Sequence, residues 1–160
     1  TAMSYSRQVS RTLDDEHRAS LELLGRVERA LARGDDAEWL SLAAPLVRQL
    51  EHEIGRHFDF EEQQLFPRMA DAGDGDLAEL LAEEHASIRA VAEDLLPLAR
   101  AAAAGTPDAA SAATLKRLAL EMVERQVAHI QKETMALLPL LDDLLDDDAD
   151  RELAFAYACD

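Results

Sequence analysis

The 160-residue chain carries 16 Lys+Arg against 33 Asp+Glu, for a formal net charge of −17 and a sequence pI of about 4.5. Such a charge repels phosphate backbones and anionic lipid heads alike, which excludes nucleic-acid and membrane-surface roles first. The length fits one domain that buries its own core, the lone Cys159 forbids an internal disulfide and fits a reducing compartment, and no apolar run is long enough to span a bilayer. With no basic-then-apolar leader, a soluble cytoplasmic protein is expected; Thr1-Ala2, ahead of Met3, read as a cloning remnant.

Gly and Pro fall largely in clusters that cut an Ala/Leu/Glu/Arg-rich chain into four helical pieces. The first is predicted from about Ser4 to Arg33, stopped by Gly34, with Leu13, His17, Leu21, Leu24 and Leu31 on one stripe. The second starts at an Asp35-Asp36 cap and runs to about Met69. The third runs from about Asp76 into the alanines before Gly105. In the fourth, Thr106-Pro107 supplies a cap and a first-turn proline, and the helix runs to about Leu145. Pro45, Pro97 and Pro139 lie inside these pieces and are expected to kink or break them. Long helices with short connections predict an all-α, antiparallel up-down-up-down four-helix bundle over 4–145. An acidic tail over 146–160 follows; the acidic run from Asp142 to Asp150 is expected to be solvated, with a short amphipathic helix through Tyr157.

The second and fourth pieces share a motif. His57, Glu61, Leu65 and Pro67 recur as His129, Glu133, Leu137 and Pro139, each separated by 72 residues (57 to 129, 61 to 133, 65 to 137, 67 to 139). Glu16-His17 and Glu84-His85 echo each other in the other two pieces, so a helical hairpin is used twice. Residues four apart project from one helix face, and His17 and His85 sit on the apolar stripes of their own helices. In an antiparallel bundle these four imidazoles and two carboxylates can fall at one level. Buried carboxylates are untenable without positive charge between them, and a metal pair is the economical answer. Nitrogen and oxygen donors without thiolate suit iron or manganese, and zinc less obviously.

This pattern resembles the hemerythrin-like (HHE) cation-binding family of non-heme di-iron four-helix bundles. The resemblance implies a metal site of His17, His57, Glu61, His85, His129 and Glu133, with the two glutamates bridging two iron ions. It further implies a bridging oxide, hydroxide or water, and manganese or zinc as substitutes. Where the oxygen-carrying hemerythrins have a fifth histidine this sequence has Arg89, and where they end in His-x4-Asp it has His-x3-Glu. It is more similar to the bacterial iron-centre repair proteins and iron-sensing domains with four His and two Glu, although the cysteine-bearing N-terminal domain of the repair proteins is not in this sequence. Ferritin-like sites need Glu-x-x-His, which is absent.

The favoured function is binding of O2, or of NO or peroxide, at an open iron position for sensing, storage or scavenging. The rivals are a di-iron enzyme, turning over peroxide or NO, oxidising ferrous iron or repairing iron centres, and an iron-dependent structural or regulatory module. The expected partner is that small ligand, with no nucleic acid or membrane, and the chain is a monomer or homodimer. His52, about 140° from His57 on a regular helix, is read as a surface residue. Glu53 is either an extra ligand, an acceptor of a ligand's second ring N–H, or a solvated charge. Arg89 either lines the pocket or extends outward. Glu62, Glu83, Glu84, Asp14 and Gln126 are weaker candidates to support the ligands, and Phe58, Phe60, Phe66 and Trp39 read as core.

Overall fold

A computed structural model describes residues 5–159, which are mostly helical, with no strand among the described residues. Helix α1 spans Gln8–Arg33, α2 spans 36–71, α3 spans Gly75–Ala104, α4 spans 109–144 and α5 spans Asp147–Cys159. Helix α1 packs on α2 and α4, and α3 packs on the same two, which closes an antiparallel four-helix ring; α5 lies against α1. Ser4, from which the first helix was expected to start, lies outside the described residues.

Most boundaries follow local chemistry. Gly34 takes the left-handed conformation (φ 67°), and the Asp35 N–H reaches back to the Ala30 carbonyl at 3.0 Å to close α1. Asp35 then caps α2 by accepting from the Glu38 N–H at 3.1 Å. Helix α4 departs from expectation: its cap is Asp108, which accepts from the Ser111 N–H at 2.8 Å, so Thr106-Pro107 precede the helix instead of opening it. Pro45 and Pro97 neither stop nor interrupt their helices. The carbonyls they leave without a helical partner belong to Ser41 and Glu93, both exposed and open to solvent.

The acidic tail is not simply solvated. Arg7, at the N-cap of α1, makes no side-chain capping bond. The orphan N–H groups go to distant acids instead: Asp142 accepts from Ser6 and Arg7 at 3.0 and 3.1 Å, and Asp150, on α5, accepts from Gln8 and Val9 at 2.9 and 3.0 Å. Each anion also sits favourably at the positive helix end. Replacing Asp150 with Ala should therefore lower stability by about 1–2 kcal/mol, within the range for lost N-caps. Urea unfolding reads this directly, and an unchanged midpoint would refute the capping role.

Two apolar clusters fill the bundle. One gathers Leu24, Leu42, Leu46, Leu50, Phe58, Ile88, Leu95, Met122 and Ile130; the other Leu13, Leu65, Met69, Leu81, Leu137 and Leu141. Between Leu24 and Leu13, between Ile88 and Leu81, and between Ile130 and Leu137, the helices carry buried polar residues. The core is thus divided by one polar layer.

Candidate metal centre

On α2 the residues at 53, 57, 61, 65 and 69 are all buried, a strict spacing of four. On a regular α-helix that spacing would drift by about 160° from first to last. Three wider, i→i+5 turns prevent such drift: the Phe58 N–H bonds the Glu53 carbonyl, the Phe66 N–H that of Glu61, and, on α4, the Leu138 N–H that of Glu133. Each absorbs one extra residue, and with two of them on α2 the five positions return to within about 40° of one face. Pro67 and Pro139 directly follow two of these turns, and their rings would crowd the carbonyls of Gln63 and Met135 in a regular helix. Pro139 therefore neither breaks nor ends its helix. The motif His-x3-Glu-x3-Leu-x-Pro encodes the turn as well as the donors.

The six predicted ligands all meet in the polar layer, none more than 2% exposed. Each imidazole points Nε2 inward. Glu133 presents Oε1 to His17 at 3.0 Å and His57 at 3.8 Å, and Oε2 to His129 at 3.1 Å and His85 at 3.5 Å. Glu61 presents Oε2 to His57 at 3.2 Å and Oε1 to His85 at 3.1 Å. The donor atoms form two groups, each lying within 4.8 Å: His17, His57, Glu61 and Glu133, and then Glu61, His85, His129 and Glu133. Both glutamates belong to both.

The outer ring nitrogens are held as well. Nδ1 of His57 meets Glu16 at 3.0 Å, that of His85 meets Glu62 at 2.6 Å, that of His129 meets Glu84 at 2.7 Å, and that of His17 meets the Thr134 hydroxyl at 3.1 Å. An ionised carboxylate only accepts, so in the first three rings Nδ1 carries the proton. In the neutral ring Nε2 then offers a lone pair to the interior, where it faces carboxylate lone pairs. Consistent with that, Nε2 of His85 and His129, Oε1 of Glu61 and Oε2 of Glu133 are buried with no hydrogen-bond partner. Electron pairs facing one another in a dry interior require cations between them, so the residues fit metal ions.

The hemerythrin HHE cation-binding domain matches residues 8–141. The chain belongs to the hemerythrin HHE family. Membership and the two buried His/Glu groups together make it a metal-binding protein. A comparison with curated proteins returns no match.

The electrostatics of this hemerythrin domain follow from the same demand for positive charge. Burial by itself would strip protons from His57 and His85, but the carboxylates around them reverse that. Glu53 and Glu61 raise His57 well above its ordinary value, and Glu133 and Glu61 raise His85 to about 10. Against its own burial, Glu133 is held far below the usual carboxylate range by His129, His17 and His57. Protons thus collect where metal cations would sit.

Several supporting residues settle differently from their sequence reading. Glu62 and Glu84 reach ring nitrogens, whereas Asp14 pairs with Arg18, Gln126 bonds Gln49, and Glu83 is exposed. Arg89 does not enter the centre; it holds Glu62 at 2.8 Å and lies over the Phe58 ring at 5.4 Å. Phe58 stacks on His85 at 3.7 Å and keeps that side dry. Glu53 is buried, not solvated, and stands outside both metal groups, 3.6 Å from His57 Nδ1 and behind the closer Glu16. Burial pushes its carboxyl up, and Oε1 has no partner. His52 is exposed, yet its Nε2 lies 2.7 Å from Glu16 and so joins the centre at one remove. Neither Glu16 nor Tyr157 is given a supporting role by the sequence reading. Glu16 echoes Glu84, each preceding its histidine, and that repeat was the available signal.

Proposed function

We propose that the protein holds two iron ions between His17, His57, Glu61, His85, His129 and Glu133, and binds O2, or NO or peroxide, at an open position for sensing, storage or scavenging. The observation that carries this reading is the sharing of both glutamates by two four-residue donor groups. Nitrogen and oxygen donors without thiolate favour iron or manganese, and six protein ligands leave coordination positions unfilled. When bound, the iron pair supplies reversible coordination of a small ligand. The chain supplies everything else: Thr134, Glu16, Glu62 and Glu84 orient the imidazoles, while Phe58 and Phe66 beside His85 exclude water. A surface pocket of about 180 Å³, lined by Glu84, Ser87, Ile88, Arg125, Ala128 and His129, lies on the His129 side of the layer.

Glu53 lends support to a second reading, turnover of peroxide or NO. It is a buried carboxyl with an unpartnered oxygen, and burial pushes its pKa up. One experiment separates the two. Protein purified in air should carry about two irons per chain with ligand-to-metal charge-transfer absorption, and after anaerobic reduction O2 should restore a spectrum that evacuation reverses. Continuous loss of added peroxide would instead establish the enzyme, and a chain that takes up no iron would refute both.

A further inference from the structure

We infer that Tyr157, on helix α5 beyond the family-matched residues, is a positioning residue for the metal ligand His57 and acts through Glu16. The inference rests on the two-metal reading above.

The Tyr157 hydroxyl donates to the Glu16 carboxylate, 2.8 Å from Oε1 and 2.6 Å from Oε2. Oε2 of the same carboxylate accepts from His57 Nδ1 at 3.0 Å. Orientation of a ligand imidazole depends on what its second nitrogen bonds, and that bond is only as well placed as the carboxylate making it. Each of the three carboxylates at an Nδ1 has its own holder. Arg89 holds Glu62, Lys132 holds Glu84, and Tyr157 with His52 holds Glu16. His52 is exposed and its bond is weakened by solvent, whereas Tyr157 is buried, so the hydroxyl decides where Glu16 sits.

Tyr157 is itself firmly placed. Its ring lies 4.6 Å from that of Phe60 and 4.9 Å from the Arg56 guanidinium, and the Arg56 side chain donates to its carbonyl. Leu153, one turn earlier, is buried in the same cluster, and Asp150 ties the start of α5 to α1. Helix α5 therefore delivers one hydroxyl to one of the two metal positions, the one built on His17 and His57. The position built on His85 and His129 is braced from α2, α3 and α4 and does not involve α5.

The test is anaerobic titration of metal-free protein with Fe(II) against a competing chelator, for wild type, Tyr157→Phe, Glu16→Gln and the double variant. Wild type should bind two ions. Glu16→Gln should weaken one ion by about 10- to 100-fold, the range for lost outer partners of metal-bound histidines, and Tyr157→Phe, which keeps the ring packing, should weaken the same ion by a smaller factor and leave the other unchanged. Because Tyr157 acts through Glu16, the double variant should lose little beyond Glu16→Gln alone. A thermal melt of the metal-free proteins accompanies the titration. Wild-type affinity for both ions in Tyr157→Phe, equal weakening of both, or additive losses in the double variant would each overturn the positioning role while leaving the metal centre standing. Failure of wild type to bind two ions would overturn the two-metal reading and this inference with it.

Discussion

Replacing Glu133 with Ala should leave less than one metal ion per chain, because this side chain meets all four imidazoles: Oε1 serves His17 and His57, and Oε2 serves His129 and His85. Its loss removes one donor from each metal position at once and half of the buried negative charge that offsets the cations. Glu133→Gln is the volume-matched companion. It keeps the packing but replaces one acceptor oxygen with an N–H donor, so it should fail almost as badly. Metal analysis of protein loaded under saturating Fe(II) measures both. Two tightly held ions in Glu133→Ala would show that the bridging assignment is wrong, whatever else binds metal in the layer.

Removing the metal should produce the other large change. In the metal-free chain the layer keeps two carboxylates and four imidazoles at 0–2% exposure, satisfied only by protons, and four of their polar atoms lack partners. Ions that bind the folded chain alone stabilise it by about 4 kcal/mol each at a thousand times Kd. Two of them contribute about 8 kcal/mol, and at about 2–4 °C per kcal/mol for a chain of this size the melting temperature should rise by about 15–30 °C. Calorimetry on chelated and reloaded samples reads the difference. Melts that coincide within a few degrees would mean that no ion is held in the folded core.

Much of this was legible in the chain itself because it depends on residues close together in sequence. The helices, the Gly34 stop and the Asp35 cap are local, as is the placing of His and Glu four apart, and the repeat at 72 residues ties the two halves together. The six inward side chains follow from those periods. The burial of 53, 57, 61, 65 and 69 together, which a regular helix cannot keep on one face, came from the wider turns and was not read from the sequence. Read as ordinary helix, the segment left Glu53 undecided.

The sequence alone determined a helical bundle and a set of His and Glu donors, since helix period and capping act over one or two turns. Only the tertiary structure decided which groups stand behind those donors. Tyr157 reaches Glu16 across 141 residues, and Asp150 reaches the start of α1 across a similar distance. No local period relates such residues. They meet because the packing of α5 on α1 brings them together, and a carboxylate on a helix surface shows whether it caps, braces or merely dissolves only when its neighbour from another helix is in place.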